Sequence, residues 1–72
     1  MSLTTGEKIK VVLMRRGLTM GDLAERTGQT RQNLSNKMSR DNFSEREMRQ
    51  IAEALDCDFE AYFVMRDTGD KV

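Results

Sequence analysis

Histidine, proline and tryptophan are absent from these 72 residues, and cysteine occurs once. Without histidine the commonest general base and metal ligand is missing, and a lone cysteine cannot build a structural zinc site. One cysteine also forbids an internal disulfide, which suits a reducing cytoplasm. No glycine-rich phosphate loop and no nucleophile–base pair can be found, so enzymatic chemistry is not expected. Cys57 has Asp56 and Asp58 beside it, which disfavour a thiolate; it reads as a small, half-buried residue. No apolar run is long enough for a membrane span, and no signal-peptide core is visible. With no proline and five glycines, nothing reads as a linker or a low-complexity tail. No small-molecule ligand or cofactor is expected.

Excess charge of one sign is missing too. Lysine and arginine number 12, aspartate and glutamate 12, and the net charge is zero. That argues against a broad electrostatic binder of nucleic acid. The charge is nevertheless uneven. Residues 27–40 carry Arg31, Lys37 and Arg40 with no acid, and residues 50–65 carry Glu53, Asp56, Asp58 and Glu60 with no base. A neutral total with one basic face still has a local field that can orient the protein on a polyanion.

What is present is a series of helix starts. Thr4 and Glu7 form a Thr-x-x-Glu capping box, and Ile9, Val12, Leu13 and Arg16 follow at helical spacing. Gly17 ends that helix. Leu18 can staple in front of Thr19, which caps a second helix over about Met20 to Thr27, with Asp22 at its third position and Leu23 and Ala24 on its apolar face. Gly28 breaks it. Thr30 caps a third helix, about Arg31 to Ser39. Arg40, Asp41 and Asn42 read as a polar loop. Phe43 precedes Ser44, which with Glu47 makes a further box. Met48, Ile51, Ala52 and Leu55 then line a fourth helix ending near Leu55 or Asp56. Met14, Met20 and Met48 read as gap-fillers in a core.

The second and third helices, joined by a tight turn containing glycine, match the helix-turn-helix plan, whose second helix enters the DNA major groove. On the third helix Leu34 and Met38 stand at i, i+4 and can anchor it. The remaining residues are Arg31, Gln32, Asn33, Ser35, Asn36, Lys37 and Arg40, all hydrogen-bond donors and none acidic. Arginine suits guanine edges, glutamine and asparagine suit adenine edges, and serine and lysine suit phosphates. An ordinary solvated helix face usually mixes both signs of charge.

After residue 57 the pattern changes. Phe59, Ala61, Phe63 and Met65 alternate with Glu60, Tyr62, Val64 and Arg66, a period of two in strand-type residues. Asp67-Thr68-Gly69 suits a turn with left-handed glycine, and Asp70-Lys71-Val72 can return as a stub. One strand of about eight residues is expected. Its open backbone groups would be met by the same strand of a second copy, with Phe59, Ala61, Tyr62, Phe63, Val64 and Met65 at the contact. The competing reading is a fifth helix with residues 59, 62, 63 and 66 on one face.

Residues 18–19, Leu23-Ala24-Glu25-Arg26-Thr27-Gly28, Thr30, Leu34-Ser35 and Ile51-Ala52-Glu53-Ala54-Leu55-Asp56-Cys57 together resemble the phage-repressor (Xre/Cro-like) helix-turn-helix family, over about residues 5 to 57. The resemblance implies an all-helical domain that binds operator DNA as a dimer and regulates transcription in a bacterial or phage setting. It places base reading on Arg31, Gln32 and Asn36, and phosphate contacts on Thr30, Asn33, Lys37 and Arg40. Met20 departs from the glutamine this family often has there, and Gln29 departs from its usual aliphatic residue. The expected fold is thus mostly α: a four-helix repressor-type domain over 1–57, with a C-terminal strand or short hairpin over 58–72 as dimerisation element. The expected partners are double-stranded DNA and a second copy, in the cytoplasm. The alternative is a protein-interaction module on the same fold, such as an antitoxin or phage accessory factor.

Overall fold

Four helices account for the ordered body of the chain, and each begins where a hydroxyl side chain offers itself as a cap. The computed structural model describes residues 2–72. Helices α1 (Thr5–Arg16), α2 (Met20–Arg26), α3 (Arg31–Arg40) and α4 (Glu45–Ala54) follow in order. Thr4, Thr19 and Ser44 each accept the backbone N–H three residues on, and Glu7, Asp22 and Glu47 reach back to the cap backbone, so α1, α2 and α4 all start in closed capping boxes. Helix α3 is capped by Thr30, which accepts from the Asn33 N–H at 3.0 Å, with no acid in its first turn.

The helix ends differ slightly from the sequence expectation. Helix α2 stops at Arg26 with Thr27 as its C-cap, and α3 continues through Arg40 until Asp41 adopts φ 52°. Arg40 is therefore helical. Residues 27–30 join α2 to α3. Gly28 sits there at φ 67°, a backbone that a Cβ would strain.

The core is one cluster drawn from all four helices: Ile9, Leu13, Leu23, Ala24, Leu34, Ile51 and Leu55. Leu23 and Leu34 have no exposed surface at all. Val12, Leu18, Met20, Met38, Phe43 and Met48 pack against this cluster from its rim. Met14 does not join them. It is 74 % exposed, because it lies one residue past the inward-facing Leu13 on the helix. Gly6 is buried where α1 crosses α3: a Cβ there would meet the Met38 carbonyl oxygen at 3.1 Å, so the two backbones approach closely.

Two arginines from the front of the chain hold the back of it. The Arg26 guanidinium donates to the Ala54 carbonyl at 2.9 Å, and that of Arg16 donates to the Asp56 carbonyl at 3.0 Å. Helix α4 has no basic residue in its own last turn. The Ala54 carbonyl at its end is met from α2 instead, and the Asp56 carbonyl just past the helix from α1.

Residues 58–72 do not form the expected eight-residue strand, and they do not form a fifth helix. Among the described residues there is no strand, only an isolated antiparallel bridge between Val64 and Lys71. Phe63 and Val72 exchange both backbone hydrogen bonds, at 2.7 and 2.9 Å, and the Met65 N–H donates to the Asp70 carbonyl at 2.8 Å. The turn between them has Gly69 at φ 78°, as its sequence suggests. The returning segment is a stub of three residues, too short to extend a ladder. The segment projects from the helical body: the radius of gyration is 13.6 Å, against about 11 Å for a compact chain of this length.

Candidate nucleic-acid interface

The outward face of α3 follows from Leu34. With that side chain wholly buried, helical geometry turns the residues across the helix from it to solvent. Arg31, Gln32, Asn33, Asn36 and Arg40 are exposed, as is Thr30 at the cap; Ser35, Lys37 and Met38 are half-buried. Gln32, Asn36 and Arg40, spaced by four, therefore form one open row, and Arg31 is exposed at the N-terminal end of the same helix.

Several of these side chains are already engaged with one another. The Gln32 amide donates to the Asn36 side-chain oxygen at 3.1 Å. The Asn33 amide donates to the Gln29 side-chain oxygen at 3.0 Å, and the Gln29 amide donates to the Thr27 hydroxyl at 2.8 Å. That hydroxyl in turn donates to the Leu23 carbonyl at 2.8 Å. A chain of polar contacts thus ties the start of α3 back to α2. Gln29, the departure from an aliphatic residue, is its middle link.

Lys37 stands apart from the other candidates. Its ammonium is paired with Glu47 of α4. Glu47 uses one carboxylate oxygen, Oε1, on the Ser44 cap and the other, Oε2, on Lys37. The Lys37 ammonium is the main cause, and the Ser44 backbone N–H the next, that holds the Glu47 carboxyl below the usual glutamate range. Sequence spacing assigned Glu47 to its cap alone. The leftover oxygen was the available signal, but no local rule points from residue 47 to residue 37.

Ser35 lines an open groove between α1 and α3 together with Thr4, Gly6, Glu7, Lys10, Met20, Met38 and Ser39. Met20 is half-buried there and packs on the core. The remaining named residues lie elsewhere. Phe59 is half-buried beside α4, with its carbonyl accepting from Arg49 at 3.3 Å, while Ala61, Tyr62, Phe63, Val64 and Met65 are all exposed.

A family profile described as a domain of unknown function, DUF6471, matches residues 5–59. The chain belongs to the DUF6471 family. The matched span contains all four helices, every member of the core and the whole α3 face, and it ends before the exposed residues 61–65. No curated protein and no solved structure matches the chain. No group of histidine, cysteine, aspartate or glutamate side chains among the described residues could hold a metal ion. No helix among them is long and apolar enough to cross a membrane.

Proposed function

We propose that this DUF6471 domain is a sequence-specific DNA-binding regulator of the helix-turn-helix type, acting as a two-fold dimer. Helix α3 enters the major groove in this reading. Arg31 engages a guanine, Gln32 and Asn36 read adenine edges, and Thr30, Asn33, Ser35, Lys37 and Arg40 serve the flanking phosphates. The observation that carries the reading is the open, acid-free face of α3, backed by a leucine with no exposed surface. Helix α3 is also the one helix whose first turn bears no carboxylate, leaving its positive dipole end for a phosphate. The resemblance to phage-repressor domains points the same way.

A second reading has its own support. The engaged Lys37 and the exposed residues Tyr62, Phe63, Val64 and Met65 favour a protein-binding module. Fluorescence titration with a pool of random duplexes separates the two. A DNA reader binds the pool weakly at low salt, and each phosphate it contacts adds about 0.9 to the slope of log affinity against log salt. Selection from the same pool then yields a preferred half-site. Affinity that ignores salt, with no sequence enriched, defeats the DNA reading.

A further inference from the structure

The exposed tail has one edge in use and one edge open. In an extended chain, successive residues point their N–H and C=O groups to opposite edges. Phe63 spends both of its groups on Val72; Met65 gives its N–H to the Asp70 carbonyl and its carbonyl accepts from the Gly69 N–H. Tyr62 and Val64 therefore aim theirs outward, and among the described residues no backbone partner meets them. We propose that this edge pairs antiparallel with the same segment of a second copy, in a single register centred on Phe63. The inference rests on the two-fold dimer above for the identity of the partner, and adds how the two copies meet.

Two constraints select the register. Outward-facing residues must oppose outward-facing residues, so the two-fold axis falls on a residue and not between two. Centres on Tyr62, Phe63 and Val64 satisfy this. Centring on Phe63 sets Glu60 opposite Arg66 at both ends, Tyr62 opposite Val64, and Ala61 opposite Met65. Phe63 then faces its own copy in a pair without mutual hydrogen bonds, the closer kind of pair. Centring on Tyr62 sets Asp58 opposite Arg66 but puts the Glu60 carboxylate against Val64. It also draws the partner's turn onto Asp58, which lies against the end of α4 beside Leu55 and Phe59. Centring on Val64 sets Tyr62 against Arg66 and leaves Glu60 opposite Thr68. Charge and apolar matching coincide only at Phe63.

The test is single-cysteine cross-linking of the full chain in a Cys57→Ser background. Under mild oxidation Phe63→Cys should form a covalent dimer at least about tenfold faster than Tyr62→Cys or Val64→Cys. In this register the latter positions lie about 7–8 Å from their own copies, beyond disulfide reach. Because Phe63→Cys removes a contact, charge exchange is the independent arm. Glu60→Arg should dissociate the dimer in sedimentation, and Glu60→Arg combined with Arg66→Glu should restore it. The helical circular dichroism should not change, since the tail projects from the body. A dimer that cross-links best through residue 62 or 64, or an exchange that restores nothing, overturns the register and leaves the dimer standing. A monomer at every concentration overturns both. The DNA titration is read separately and decides its own question.

Discussion

Leu34 joins the fold to the proposed reading face, so its removal can be worked through in numbers. It has no exposed surface, and it is the sole fully covered side chain of α3. Leu→Ala at such a site costs about 2–5 kcal/mol, from lost transfer energy and the cavity left behind. At about 0.05–0.15 kcal/mol per residue, a chain of 72 residues has a total stability of roughly 4–11 kcal/mol. An unfolding entropy of about 2.1 cal/mol/K per residue gives about 150 cal/mol/K, so a loss of about 3 kcal/mol lowers Tm by about 20 °C. Asn36→Ala, on the opposite side of the same helix, should move Tm by no more than about 3 °C, since exposed substitutions stay within about 0.5 kcal/mol. Thermal unfolding followed by circular dichroism reads both. A Leu34→Ala shift under about 5 °C, or equal shifts for the two variants, would refute the claim that α3 is pinned from behind and free in front.

Arg31→Ala should cost about 1–3 kcal/mol of affinity at one base pair, roughly 5- to 150-fold, leaving mismatched duplexes nearly unaffected; equal loss on both kinds of site removes Arg31 from base reading. Glu47→Gln should raise affinity for every sequence by releasing Lys37, whereas Lys37→Ala should lower it for every sequence and reduce the salt slope by about 0.9; opposite signs in a titration series are the check. Arg26→Met removes the donor to the Ala54 carbonyl and should cost about 1 kcal/mol, or about 7 °C in Tm; an unchanged melting curve contradicts the cross-helix cap. Glu7 and Asp22 are held below their usual ranges chiefly by the Thr4 and Thr19 backbone N–H groups, and Glu47 chiefly by Lys37. The folded state therefore holds these protons less readily than the unfolded chain. Their stabilisation is full above the usual carboxylate range and is lost as pH falls through the lowered values. Urea midpoints should drop between about pH 5 and 3, and the combined Glu7→Gln, Asp22→Asn, Glu47→Gln variant should show a flatter profile.

The helices were legible because their signals are local. A threonine or serine with an acid three residues on declares a helix start without reference to anything else in the chain, and Thr4, Thr19 and Ser44 all do so. Gln32 and Asn36 were legible as an outward pair for the same reason, since they stand two residues to either side of Leu34, whereas Arg31 was singled out by the family resemblance. Contacts across the sequence were not legible. Nothing at Arg16 or Arg26 announces a carbonyl at the far end of α4, and nothing at Lys37 announces Glu47. Met14 shows the limit of composition, because its type suggests a core and its angular position denies it. In the tail, period two suggested a strand, but a strand also needs a neighbour, and the three residues after the turn supply one bridge.

The reach of Arg16 and Arg26 to the far end of α4 sets an order of events during synthesis. Until residues 54 to 56 have left the ribosome, neither guanidinium has its carbonyl, and Ile51 and Leu55 are missing from the cluster. Until then Ile9, Leu13, Leu23 and Leu34 lack the cover that Ile51 and Leu55 supply. The domain therefore cannot shut until its fourth helix has been made, and until then the nascent chain has apolar side chains open to holdase chaperones.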